Sequence, residues 1–174
     1  MTRPEVTSNP DVAVVLDDLR RIVRALRESS RTAEREIGIS GAQLFVLRTL
    51  LRRGRPVSLN ALAGFTKTHQ SSVSVVVAKL VERKLVSRSK SELDGRRLDI
   101  ALTDKGRDLL ERAPPAVQDR LFKGLEQLPA QKCHALAQGL RSLVQSMQLD
   151  DEPPTMFLES DDEPPPARRR KKRS

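Results

Sequence analysis

Apolar residues recur at intervals of three and four along most of this chain, and that spacing predicts a mainly helical protein. Val12, Val15, Leu16, Leu19, Ile22, Val23 and Leu26 form one stripe of a helix that begins at Asp11 and runs to about Glu36, with Gly38 suited to end it. Ser40 suits the N-cap of a second helix carrying Leu44, Leu47, Leu50 and Leu51, which Gly54-Arg55-Pro56 stops. Ser58 caps a short third helix through Leu59-Asn60-Ala61-Leu62-Ala63. A fourth helical run spans Thr68 to Arg83. At about 100° per residue, Val73, Val76, Val77 and Leu80 fall on one of its sides, which must face the core.

The period changes after Lys84. Leu85-Val86-Ser87-Arg88-Ser89 and Leu98-Asp99-Ile100-Ala101-Leu102 read as strands around the turn Leu93-Asp94-Gly95-Arg96-Arg97, because glycine supplies the positive φ of a hairpin turn. Thr103 then caps a helix with Leu109, Leu110 and Ala113, and Asp104 sits at the positive end of its dipole. Pro114-Pro115 interrupts the pattern. Val117, Leu121, Leu125 and Leu128 resume it, and Pro129 opens a last helix with Leu136, Leu140, Leu143, Val144 and Met147. Helix, turn, helix and basic hairpin in this order predict a mainly α fold with a small β-hairpin wing, a winged helix-turn-helix flanked by N- and C-terminal helices. Residues 1–10 are expected to fray, residues 11–149 to form the domain, and residues 150–174 to be a disordered tail, acidic and then basic. The apolar Met156-Phe157-Leu158 in that tail is expected to be solvated, with docking on a partner as the alternative.

Asp94-x-Arg96, the alternating apolar strand after it, and Leu102-Thr103-x-x-Gly106 resemble the wing and following helix start of the MarR family of bacterial transcription regulators in residue type and spacing. The Leu62-Ala63 opening and Ser72-Val73-Ser74 match that family as well, and the resemblance covers residues 12–148. It implies a homodimer held by the terminal helices, although packing of those helices within one chain is the plainer reading of periodicity. It also implies double-stranded DNA as partner, a palindromic site, repression, and a small phenolic or carboxylate-bearing effector. Asp94 is implied to brace the wing. Val75 stands where such regulators often carry a basic residue.

Charge points the same way. The formal net charge is +9, and residues 150–174 hold seven acidic and six basic side chains, so the body carries +10. A basic body suits a polyanion. On the fourth helix the candidate DNA contacts are His69, Gln70, Ser71, Ser74, Val75 and Lys79. Glutamine pairs with adenine, serine with a base or phosphate, and an exposed valine touches a thymine methyl. His69 is equally suited to a local hydrogen bond at the helix start. In the wing the candidates are Arg88, Lys90, Arg96 and Arg97, whose charge suits the negative potential of a narrow minor groove. The rival reading is a DNA-architectural or scaffold protein with weak sequence preference.

Other classes find little support. Two histidines and one cysteine are too few and too separated for a metal cluster, and neither a phosphate-binding glycine loop nor a nucleophile elbow occurs. The expectation is no catalysis, no metal and no cofactor. Cys133, beside Lys132 and His134, is either a small core filler or a thiol activated near a helix start. With four Phe and no Trp or Tyr, an effector pocket would rest on Phe45, Phe65 or Phe122, with Arg20, Arg24 or Arg48 to meet an acid. There is no long apolar run and no signal-peptide pattern, so a cytoplasmic location away from the membrane is expected.

Overall fold

The computed structural model of the chain describes residues 9–90, 98–149 and 156. The elements are α1 (Pro10–Ile37), α2 (Gly41–Arg53), β1 (Val57–Ser58), α3 (Leu59–Thr66), α4 (Gln70–Glu82), β2 (Val86–Lys90), β3 (Leu98–Leu102), α5 (Asp104–Glu111), α6 (Val117–Gln127) and α7 (Ala130–Ser146). The fold is the expected one, mostly helical with a small antiparallel sheet.

Local chemistry sets most boundaries. Gly38 ends α1 in the left-handed conformation at φ 68°, which costs a residue without a Cβ nothing. Ser40 and Gln43 form a reciprocal capping box at the start of α2, satisfying two orphaned backbone donors. Ser58 caps α3 by accepting from the Ala61 amide at 3.2 Å. Pro129 precedes α7 as its N-cap and not as its first helical residue.

The core centres on α2. The sequence marks Leu44, Leu47, Leu50 and Leu51 on it, yet Ala42, Phe45 and Val46 are buried together with Leu44, Leu47 and Leu50, and of the four leucines Leu51 alone is exposed. A helix buried nearly all round reads as more than a stripe because α1, α3, α4, α5 and α6 surround it. Val73, Val76, Val77 and Leu80 of α4 are buried against this centre, on the side the periodicity predicts.

The sheet has the order β1-β3-β2. β1 adds a third strand to the expected hairpin, pairing Val57 with Ile100 and Ser58 with Asp99. Two residues are too short to show alternation, so no period announced it.

The start of α6 is made by a distant residue. Ala116 provides no side-chain cap, and the Val117 amide instead donates to Ser29 Oγ of α1 at 3.1 Å. Asp119, one turn on, accepts from Arg52 at 2.6 Å and Arg48 at 3.3 Å, and Arg48 also donates to the Pro114 carbonyl at 2.8 Å. These bonds clamp α6 onto α2. Arg48 is therefore engaged within the fold, while Arg20 and Arg24 pair on the surface with Asp17 and Glu28. The Glu28 contact raises the Arg24 pKa, through the hydrogen bond first and the charge second.

The terminal helices behave differently. Val12, Val14, Val15, Leu16, Ile22 and Val23 of α1 are 43–59% exposed, and Leu136, Leu140, Leu143 and Val144 of α7 are 38–44% exposed. No residue of α7 is buried. Apart from the buried Leu26, most of the apolar stripe of α1 and that of α7 are left uncovered by the described residues.

Candidate nucleic-acid interface

α3 and α4 are joined by the tight turn Lys67–His69. Lys67 takes the left-handed conformation at φ 53°, ending α3, and the Thr68 amide donates to the Ala63 carbonyl at 3.1 Å. Thr66, buried at the end of α3, satisfies its hydroxyl on the Leu62 and Ala63 carbonyls at 3.0 and 3.2 Å. The turn is therefore held by hydrogen bonds to its own helix.

His69 is the N-cap residue of α4 and is exposed, but its side chain makes no capping bond. Of the two roles open to it, the local hydrogen bond at the helix start is not formed. Gln70 and Ser71 are exposed on the first turn, and Ser74, Val75 and Lys79 are half-buried further along. Because Val73, Val76, Val77 and Leu80 lock the opposite side into the core, α4 cannot rotate to hide this face.

Two further residues hold α4 against the wing. Lys84 has φ 59°, its amide donates to the Val81 carbonyl at 2.8 Å, and the Leu85 amide donates to the Leu80 carbonyl at 2.9 Å. This is a Schellman ending, completed by burial of Leu85. Thr103 then reaches back to it. Its hydroxyl donates to the Lys84 carbonyl at 2.8 Å and accepts from the Gly106 amide at 3.1 Å, while its own amide donates to the Leu85 carbonyl at 3.2 Å. Gly106 packs on the same carbonyl: a Cβ there would lie 2.2 Å from Leu85 O and 2.9 Å from Leu102 Cδ1. The Leu102-Thr103-x-x-Gly106 pattern thus joins the end of α4 to the base of the β2–β3 hairpin. Arg83 extends the brace, donating to the Gly38 carbonyl and accepting from Lys105 Nζ at 3.1 Å through its own carbonyl. Periodicity does not mark the bonds of Thr103 to Lys84 and Leu85 or of Arg83 to Gly38 and Lys105, since each depends on a partner remote in sequence.

The wing rises from this base. β2 and β3 pair from Val86 with Leu102 outward to Lys90 with Leu98. Val86 is buried and the rest of β2 is exposed, so Arg88 and Lys90 stand clear of the core. Asp94, Arg96 and Arg97 lie outside the described residues.

Beside the turn is a cavity of about 610 Å³. Phe45 of α2 and Phe122 of α6 form one wall, their ring centroids 4.8 Å apart, and Lys67, Thr68 and His69 form another. Phe65 is absent from it and instead lies under the guanidinium of Arg53, 3.6 Å from the ring centroid. Met156, from the segment expected to be solvated, lines the same cavity and is only 4% exposed. Cys133 is half-buried on α7. Among the described residues no cluster of His, Cys, Asp or Glu could hold a metal ion, and no helix is long and apolar enough to cross a membrane.

A family model described as MarR family matches residues 37–97, from the end of α1 to the tip of the wing. An uncharacterized HTH-type transcriptional regulator of Mycobacterium leprae (strain TN) is 28% identical over 142 residues, spanning 82% of this chain and 96% of that protein. Over this segment the chain is similar to the MarR family. The HTH-type transcriptional repressor MdtR of Bacillus subtilis (strain 168) is 32% identical over 69 residues, 40% of this chain, and the match spans only 44% of the length of MdtR. A MarR family transcriptional regulator from Streptomyces coelicolor, solved in complex with DNA, shares the fold with a TM-score of 0.59 and 21% identity, over 91% of this chain and 98% of that one. MarR proteins are DNA-binding transcription regulators and not enzymes. Within the matched segment, α4 packs beside the β2–β3 hairpin.

Proposed function

We propose that this chain is a homodimeric repressor that binds a palindromic site in double-stranded DNA. The observation that carries the reading is the pairing of two exposed surfaces on one rigid base. Gln70 and Ser71 at the start of α4 and Arg88 and Lys90 on β2 all face outward, while Thr103 and Gly106 tie the two elements together. The N-terminal turn of such a helix meets base edges, and basic wings follow the phosphates and minor groove. Gln70, Ser71, Ser74 and Val75 read bases. His69 and Lys79 flank them, and Arg88, Lys90, Arg96 and Arg97 hold the backbone, with Asp94 bracing the wing tip.

The uncovered stripes of α1 and α7 support the dimer, because so many large apolar side chains are costly in water. A two-fold dimer presents its two recognition helices to half-sites one helical turn apart, about 34–36 Å. Repression is supported by the similarity of the matched segment to the transcriptional repressor MdtR. The Phe45–Phe122 cavity, walled on one side by the turn that precedes α4, is the place for a small-molecule effector. The chain works in the cytoplasm.

The test is a binding selection. Wild type should enrich one palindromic motif, whereas Gln70→Ala and Val75→Ala should enrich altered ones, each lost base contact costing about 1–3 kcal/mol at the original site. If both variants return the wild-type motif, this face is not the reader. A specificity ratio near one for wild type would instead favour an architectural protein.

The wing is tested by salt. Arg96→Ala should weaken binding to all sequences and flatten the log–log dependence on salt by about 0.9. Arg88→Ala should do the same if its exposed guanidinium meets phosphate. Titrations that superimpose on wild type from low to high salt would remove the wing from the interface.

A further inference from the structure

Met156 belongs to the most polar part of the chain, yet it is one of the buried core residues. It lines the cavity together with Phe45, Phe122, Gln118, Lys67 and His69. Six residues link it to Leu149, a reach of at most about 25 Å from the end of α7. An unbranched thioether is suited to such a site, because it fills irregular apolar space and contacts ring edges favourably. So short a tether holds it near the cavity at an effective concentration in the millimolar range.

What flanks Met156 is as informative as the residue itself. Asp150, Asp151 and Glu152 precede it, and Glu159, Asp161, Asp162 and Glu163 follow. Glu159 is three residues on, at most about 11 Å of chain away. The turn that leads directly into Gln70 lines the same cavity. Chain length keeps Glu159 within about a Debye length of Met156, and a carboxylate at that range repels a phosphate backbone brought to the same turn.

We propose that the Phe45–Phe122 cavity is the docking site of the chain's own C-terminal segment, anchored by Met156, and that docking lowers the affinity of the adjoining recognition helix for DNA. The inference rests on the DNA-binding reading given above and adds an internal occupant for the cavity. The anchor is a buried side chain of this chain that already lines the site, which makes the chain's own segment the occupant the structure favours.

The experiment uses the full chain labelled with ¹³C at its methionine methyls. There are three methionines, and the Met156 signal is the one missing from Met156→Asp. In the free wild type it should be shifted by the phenylalanine rings, and Phe122→Leu should move it toward the position of a solvated methionine. On a duplex from upstream of its own gene, Met156→Asp should bind about tenfold more tightly than wild type at one salt concentration. A Met156 methyl at the solvated position in wild type, or a shift that Phe122→Leu leaves whole, overturns docking. Equal and measurable affinities for wild type and Met156→Asp overturn the brake alone. A docked methyl with no binding of either protein to any DNA overturns the DNA-binding reading, and the brake falls with it.

Discussion

Gly106→Ala is expected to destabilise the protein by about 3 kcal/mol or more, a large share of a typical domain's stability. The reason is purely steric. Gly106 does not adopt a positive φ, so alanine is not excluded by backbone conformation. Its Cβ, however, would sit 2.2 Å from the Leu85 carbonyl oxygen, and that oxygen is backbone, held by the Thr103 amide. Either α5 lifts off or the α4–β2 turn is displaced. Both routes break the Thr103 bonds that join the recognition helix to the wing. Variant protein that remains folded should therefore bind DNA poorly as well. Gly124→Ala is the matched control, since a Cβ there meets nothing within 4 Å and a helix gains about 1 kcal/mol when alanine replaces glycine. Urea unfolding of the two variants beside wild type should give shifts of opposite sign. A Gly106→Ala midpoint within error of wild type would mean that Leu85 and α5 do not approach this closely.

Leu140→Glu is expected to leave the winged unit folded but to convert a dimer into a monomer. Leu140 is 44% exposed on a helix that buries nothing within its own chain, and it lies in line with Leu136, Leu143 and Val144. Full burial of such side chains contributes about 1.5–3 kcal/mol each, and a carboxylate placed among them without a partner costs several kcal/mol. Two linked half-site contacts gain roughly 10²–10⁴-fold over one, so affinity for a palindromic duplex should fall by about that factor. Binding to a single half-site should change little. Sedimentation together with circular dichroism reads the outcome. A Leu140→Glu protein that still sediments as a dimer would show that α7 is not in the interface, and a monomeric wild type would remove the dimer altogether.

Much of the candidate site is visible in the order of residues. The buried side of α4 follows from the spacing of Val73, Val76, Val77 and Leu80, because a helix in contact with a core must turn its apolar positions inward. Its outward side follows by subtraction, which is why Gln70 and Ser71 can be named before any coordinates exist. The strands that carry Arg88 and Lys90 are signalled by the change of period and by Asp94-Gly95. The contributions of Lys84, Arg83 and Lys67 are not visible, since a lysine or arginine at a helix end resembles any solvated cation until its backbone conformation or partner is known.

What the sequence determines by itself is whatever its neighbours within four residues decide. Ser40, Ser58 and Thr103 cap helices through amides three positions away, and Gly38 and Gly54 end helices through their own freedom of φ. The tertiary structure decides what closes over long separations. Val117 finds its cap on Ser29, 88 residues earlier, and Asp119 pairs with Arg48 across 71. β1 exists because β3 lies beside it, α2 is buried because five helices surround it, and Met156 is buried because Phe45 and Phe122 leave room for it. The apolar stripes of α1 and α7 show the division most directly. Periodicity identifies a face that avoids water, but only the packed chain reveals that none of its own elements covers it, because hydrophobic attraction is non-directional and carries no record of its partner.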